Sequence, residues 1–206
     1  MIDLLSDIFV LVAEIFYYTG LTILNSMKLT SDRLIIKELS LASLDDIHQL
    51  HSLPQTDEFN TLGIPATLQI TQILLSGWME LQNALPRLSY IFCIELIETN
   101  QFIGLIALNL GKPHYKIAET WYKIHPDFWQ QGYATEALNK ILQFGFIDLG
   151  LHRMEAGCAV ENIASIKVLE KTGMIREGRK RKLLPIRGAW IDNYFYAILE
   201  TDYNEK

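Results

Sequence analysis

Six consecutive residues, Trp129-Gln130-Gln131-Gly132-Tyr133-Ala134, have the types and the position to hold an anion. They open a helical pattern in which Ala134, Ala137, Leu138, Ile141, Leu142 and Gly145 recur at spacings of three and four. A helix start leaves about four backbone N–H groups without internal partners and carries a partial positive charge, so a loop placed there suits phosphate. Gly132 permits a backbone conformation and a closeness of approach that a side chain would block. No Lys-Ser or Lys-Thr follows the glycine, which excludes a nucleotide P-loop. A second group is basic: Arg176, Arg179, Lys180, Arg181 and Lys182 crowd a short stretch of an acidic chain. Strand alternation would split them over two faces. They read either as a solvated strand or turn, or as a surface for an acidic acceptor or an RNA-bearing particle. The histidines, His48, His51, His114, His125 and His152, are too scattered to suggest a site, and no Cys/His cluster has metal-ligand spacing. No metal is expected.

The elements that must position this loop come from the rest of the chain. With 206 residues, 50% of them hydrophobic, it has the material for one domain, or one domain plus an extension. The net charge of −6 argues against direct nucleic-acid binding. Cys93 and Cys158 each sit inside an apolar run and read as buried, reduced thiols, which points to a reducing, cytoplasmic setting. Residues 1–27 differ from the rest. Ile8 to Met27 is nearly all apolar, yet Glu14 interrupts it, and the early charges are Asp3 and Asp7 where a signal peptide has a basic start. The favoured reading is an apolar helical extension packed on the domain or on a partner, with residues 28–206 as the domain. Upstream sequence before a start at Met27, and membrane contact through residues 8–27, are the alternatives.

From Arg33 to Leu39 the chain alternates as a strand. Ser43 starts a helix with Asp45 and Asp46 in its first turn. Leu53 to Ala66, with Pro54, Gly63 and Pro65, reads as a loop, and Thr67 to Leu81 as a helix. Ser89–Ile97 and Gln101–Leu110 form a hairpin about Glu98-Thr99-Asn100, and Ile117–Ile124 is a third strand of that run. After the helix from Gly132 come a strand over Met154–Val160 and a helix over Ala164–Thr172. Gly173 stops that helix as a left-handed residue. Met174–Leu184 and Ala189–Leu199 close the chain as strands joined through Pro185 and Gly188. The order predicts an α/β domain with a mixed sheet.

Two runs, ETWYKIHPDFWQQGYATEAL and LGLHRMEAGCAVENIASIKVLEKTGM, resemble the GNAT superfamily of acetyl-CoA-dependent N-acetyltransferases, and within it the ribosomal-protein-alanine N-acetyltransferase branch. Arg33-Leu34, Asn162 with Ser165, Lys171 to Met174 and Gly188 to Asp192 fall in the matching order, so the resemblance covers about residues 29 to 200. It implies an acyl-CoA N-acyltransferase fold with splayed central strands, acetyl-CoA as co-substrate, and direct attack of a primary amine in a ternary complex. The amine is expected to be a protein N-terminus. A small-molecule amine and a non-catalytic acyl-CoA-binding module are the alternatives, and monomer and homodimer are both open. By the resemblance Gln130, Gln131, Gly132, Tyr133, Ala134 and Thr135 face the diphosphate, while Trp121, Tyr122, Lys123 and Ile124 bond the pantetheine arm through their backbone. The chain departs from the family at Gln130, where a glycine is common.

At neutral pH an amine nucleophile is mostly protonated, so the site must remove a proton and stabilise an oxyanion. Glu119, on an otherwise apolar strand beside the implied acceptor position, is the candidate base, its pKa raised by burial. His125 is a second candidate, and a structural Glu119 paired with backbone or an arginine is the alternative. Many GNAT enzymes place a tyrosine as the acid for the thiolate. The matching position here is Leu169, which leaves Ser165, one turn earlier, as the substitute. Asn162 either bonds the pantetheine or caps the helix, or does both.

Overall fold

Most of the chain's extended segments are rich in apolar, β-branched or aromatic residues and bury one or both faces, while the strands over 28–30 and 175–186 stay largely exposed. The computed structural model describes residues 27–204. The helical extension expected over 1–27 falls, apart from Met27, outside the described residues. Eight strands form one sheet: β1 (Lys28–Thr30), β2 (Leu34–Glu38), β3 (Ser89–Leu96), β4 (Phe102–Leu110), β5 (Ile117–Ile124), β6 (Arg153–Ala159), β7 (Ile175–Ile186) and β8 (Ala189–Leu199). Their spatial order is β1-β2-β3-β4-β5-β6-β8-β7. Every neighbouring pair is antiparallel except β5 with β6. The expected α/β mixed sheet is what the chain forms.

Helices cover both faces. On one side lie α1 (Leu44–Ser52), the single turn α2 (Pro54–Asp57) and α3 (Leu68–Asn83). Ile47, Leu50 and Leu75 pack there on Ile91, Cys93, Leu105 and Ala107. On the other side lie α4 (Tyr133–Gln143) and α5 (Ile163–Lys171). Ala137, Leu138, Ile141, Leu142 and Leu169 meet Phe92, Ile94, Ile106, Leu108 and Met154 there. A short α6 (Glu200–Asn204) follows β8. The two-residue period thus assigns alternate side chains of β3 to opposite cores. In β4 a bulge interrupts it. Ile94 pairs with Gly104 and Glu95 with Phe102, so Ile103 is an extra residue and turns to the same core as Ile106.

Some local expectations shift. β1, three residues long, is too short to show a period, and pairs with β2 from Lys28↔Lys37 to Thr30↔Ile35. The segment expected as a loop over 53–66 contains α2, begun by Pro54, whose fixed φ suits a first helical position. α4 continues into a π-helical turn, Phe144–Asp148. Pro185 stays within β7, and Arg187-Gly188, both at positive φ, make the turn into β8. Gly173 does end α5 at φ 84°. Its N–H bonds Glu170 O at 3.1 Å and Met174 N–H bonds Leu169 O at 3.1 Å, the Schellman closure of a helix.

Candidate active site

β5 and β6 pair over three positions only, Ile117↔Arg153, Ala118↔Met154 and Glu119↔Glu155. Beyond Glu119, β5 continues to pair with β4 as far as Ile124. Beyond Glu155, β6 pairs with β8 as far as Ala159. Each strand stays with its outer neighbour and the two part, opening a cleft through the middle of the sheet. Gly104 holds β5 to β4 at the mouth of this cleft, since a Cβ there would lie 2.3 Å from Lys123 O.

The alternation of antiparallel bonds decides which backbone groups face the cleft. Gly111 N–H bonds Ile117 O at 2.9 Å and His125 N–H bonds Ile103 O at 2.8 Å. The odd-numbered residues of β5 therefore bond β4, and the even-numbered ones, Thr120, Tyr122 and Ile124, point their N–H and C=O across the cleft. This narrows the expectation for Trp121 to Ile124: the backbone groups of Trp121 and Lys123 belong to the β4 ladder. Ile124 O is taken by Trp129 Nε1 at 2.7 Å. The Thr120 N–H still serves the last β5–β6 pair, Glu119↔Glu155, so the open edge remaining, the C=O of Thr120, both groups of Tyr122 and the N–H of Ile124, fits an extended amide-bearing arm such as pantetheine.

At the open end of the cleft the loop 129–132 leads into α4. Gln130 has φ 60° and Gly132 φ 85°. Gln130 thus occupies a left-handed conformation that a glycine would adopt without strain. Tyr133, Ala134 and Thr135 supply the first turn of α4, whose N–H groups point at the loop. The first turn also carries Glu136, an acid at the helix start expected to receive an anion. Arg33 neutralises it: Arg33 N–H and Nε donate to the carboxylate at 2.8 and 2.7 Å, and Ser31 Oγ donates at 2.8 Å. Arg33 also bonds Gln131 O at 3.1 Å and stacks over the Tyr133 ring, 4.3 Å from its centroid. These contacts hold the Glu136 carboxyl below its usual pKa despite partial burial. In the sequence Arg33 stands only among the pieces of the resemblance, with no link to this loop. The acid in the first turn of an anion-binding helix was the available clue.

Glu119 stands where β5 and β6 part. Among the described residues no hydrogen bond or ion pair holds its carboxyl, whereas Glu155 beside it accepts from Arg153 Nε at 2.7 Å. Glu119 is open to solvent on one side, yet surrounding atoms desolvate the carboxyl and raise its pKa. Glu155 adds to that shift and Lys180 opposes it. The alternative of a structurally paired Glu119 is not what the geometry shows. His125 lies at the far end of β5, where its Nδ1 accepts from Asp127 N–H at 3.3 Å and caps a turn.

On the opposite face of β5, Tyr122 reaches α5. Its hydroxyl lies 2.8 Å from Ser165 Oγ, and burial pushes its pKa up. Ser165 also bonds the Cys158 thiol, which burial raises to about 11. Asn162 caps α5, its Oδ1 accepting from Ser165 N–H at 3.0 Å. Leu169 is 1% exposed in the core, so no hydroxyl stands at the family's tyrosine position. The basic cluster does divide by face. Arg179 pairs with Asp192 and Arg176 lies over Tyr194, while Lys180 lies over Phe195 on the Glu119 side.

The cleft, the loop at a helix start and a free carboxylate at the apex make one composite arrangement. The GNAT acetyltransferase domain matches residues 33–175. This chain belongs to the GNAT acetyltransferase family. Over 115 residues it is 44% identical to the uncharacterised N-acetyltransferase YnaD of Bacillus subtilis (strain 168), a match covering 55% of this chain and 66% of that protein. Two solved structures share the fold. A spermidine N-acetyltransferase from Vibrio cholerae in complex with CoA and spermine superposes with a TM-score of 0.74 at 24% identity, over 84% of this chain and 99% of the other. RimL, a ribosomal L7/L12 alpha-N-protein acetyltransferase in complex with coenzyme A, superposes at 0.76 with 18% identity, over 84% and 98%. As a GNAT acetyltransferase the chain is an acetyl-CoA-dependent N-acetyltransferase. No helix among the described residues is long and apolar enough to cross a membrane.

Proposed function

We propose that this enzyme acetylates the N-terminal amine of a protein or peptide, with Glu119 as the base. The observation that carries the reading is the free Glu119 carboxyl with a raised pKa, placed where the cleft closes and where an acyl group at the end of a pantetheine arm would meet an amine. The amine arrives on the α1–α3 face, which Glu119 shares with Trp121 and Lys123 by strand alternation. Glu119 takes the proton directly or through one water, and a cleft-facing N–H of β5 holds the thioester oxygen. The departing thiolate needs little acid help, because a thiol pKa is about 8.5. The Ser165 hydroxyl, fixed by Tyr122 and by the α5 cap, is placed to hydrogen-bond it. Gln130, Gln131, Gly132, Tyr133, Ala134 and Thr135 receive the diphosphate, with Arg33 as the neighbouring cation.

Lys180 on the acceptor face favours a peptide end over a polyamine, since a cationic pocket repels a polycation. Adjacent Glu119 and Glu155 favour the second reading, a small cationic amine. Acetyl transfer from acetyl-CoA to a peptide panel and to spermidine separates the two. Glu119→Gln is expected to lower kcat/KM by about a hundredfold to ten-thousandfold while coenzyme A still binds. Undiminished turnover in Glu119→Gln refutes the assignment of the base. Tight coenzyme A binding with no turnover of any amine marks a non-catalytic binding module.

A further inference from the structure

The acceptor face holds a group of buried polar atoms that transfer of the acetyl group does not use. Among the described residues, His51 Nε2, Asp57 Oδ1, Asn60 Nδ2 and Lys123 Nζ are buried without a hydrogen-bond partner. Buried polar groups are nearly always paired with protein, water or ligand, so a cluster of exceptions is a place where a polar ligand can bind. Charge links three of them, and the backbone links the fourth to Asp57. Lys123 and Asp57 feel each other's charge, and Lys123 acts on His51. Asn60 lies one turn after Asp57, its N–H bonded to Asp57 O at 3.0 Å. His51 and Asp57 are 2% and 7% exposed.

The charges do not balance. Burial lowers the His51 pKa to about 3, so its ring is neutral. Asp57 Oδ2 already accepts from Arg187 Nε at 3.1 Å, and Arg187 also bonds Pro54 O at 2.9 Å. That leaves Lys123 as the surplus cation, its pKa lowered to about 8 by burial against the pull of Asp57. The β7–β8 turn thus reaches across to α2 beside a buried cluster with one positive charge too many. Lys123 is four residues from Glu119 on the same face of β5, about 13 Å at the strand rise.

Resting on the acetyl-transfer reading above, we infer that Lys123, the surplus cation on the Glu119 face of β5, binds a carboxylate of the acceptor while the amine meets Glu119, with Asp57 held back by the Arg187 turn. The carboxylate is either an acidic side chain near the start of an extended peptide or the acid group of a small amino-carboxylate.

The test uses two acceptor pairs, a peptide with Glu or Gln at its third residue, and 6-aminohexanoate or its amide. Wild type is expected to show a kcat/KM at least about tenfold higher for the acidic member of one pair, the size of a charge-assisted hydrogen bond. Which pair discriminates identifies the source of the carboxylate. In Lys123→Met that ratio falls towards one, and in the exposed-lysine variant Lys167→Met it stays. Lys123→Gln serves if the methionine variant does not fold. A wild type that turns over both members equally, or a ratio that survives in Lys123→Met, overturns the inference and leaves acetyl transfer standing. Fluorescence of Trp78, whose ring is 5.9 Å from His51, supplies a readout without turnover. Saturable quenching by glutarate in wild type, absent in Lys123→Met, supports the carboxylate site even where no amine is acetylated. Identical responses in the two proteins overturn it.

Discussion

Removing the Glu136 carboxylate tests whether the phosphate loop is held by a clamp or only by its own turn. In Glu136→Ala, Arg33 loses a backbone partner at 2.8 Å and a side-chain partner at 2.7 Å, and Ser31 loses one at 2.8 Å. The Glu136 side chain is 17% exposed and that of Arg33 47%. The half-exposed guanidinium arm therefore contributes at most about 1 kcal/mol. The more shielded bonds to the carboxylate bring the loss to about 2 kcal/mol. For a domain of this size that lowers Tm by about 4–8 °C. The pH dependence follows from the sign of the shift. The folded Glu136 pKa is lowered, so its stabilisation is present above the unfolded carboxyl value and is lost as pH falls through the folded one. Thermal unfolding of wild type and Glu136→Ala should differ at pH 7 and converge towards pH 3. Coenzyme A affinity, read by calorimetry, should fall as well, because Arg33 also bonds Gln131 O. A Tm difference under about 1 °C at pH 7, or one that persists unchanged at low pH, refutes the clamp.

Three other outcomes follow from particular contacts. Gly104→Ala puts a Cβ 2.3 Å from Lys123 O, against backbone that has no room to yield, and is expected to cost about 3 kcal/mol or more in urea unfolding. The pH profile of kcat/KM should rise with pH through a carboxyl limb above the usual glutamate value. Because Lys180 holds the Glu119 pKa down, Lys180→Met should move that limb to higher pH. Restoring the family's tyrosine as Leu169→Tyr is expected to destabilise by about 1–3 kcal/mol without raising kcat, since the position is 1% exposed and packed in the core.

The fold was legible because its elements are long and regular. β3 and β4 are apolar runs of eight and nine residues buried on both faces, and α4 and α5 carry apolar stripes and a glycine at one end or the other. β1 was not legible, because three residues contain no period. The loop at Gln130 to Thr135 and the carboxylate at Glu119 stood out as candidates because each is a local signal, a helix start in one case and a charge on an apolar strand in the other. The Arg33–Glu136 contact joins residues 103 apart, and Arg187–Asp57 joins residues 130 apart. Only the sheet order brings those partners together. Tyr122 was expected to act through its backbone. Its hydroxyl bond to Ser165 depends on how far α5 stands from β5, which no spacing within either element encodes.

The site's division of labour comes from the two-residue period of β5. The even positions present free backbone groups to the cleft and, at Tyr122, a side chain to α5. The odd positions keep the β4 ladder intact and present Glu119, Trp121 and Lys123 to the acceptor side. A one-residue slip of β5 would exchange the two sets, turning the carboxylate to the cofactor and the tyrosine to the amine. Gly104 and the Ile103 bulge stand beside the end of β5 where such a slip would have to begin. Under the proposed roles the β4–β5 register is a catalytic requirement as well as a folding one. Substitutions at Gly104 should lower coenzyme A affinity and turnover together, even where the sheet survives.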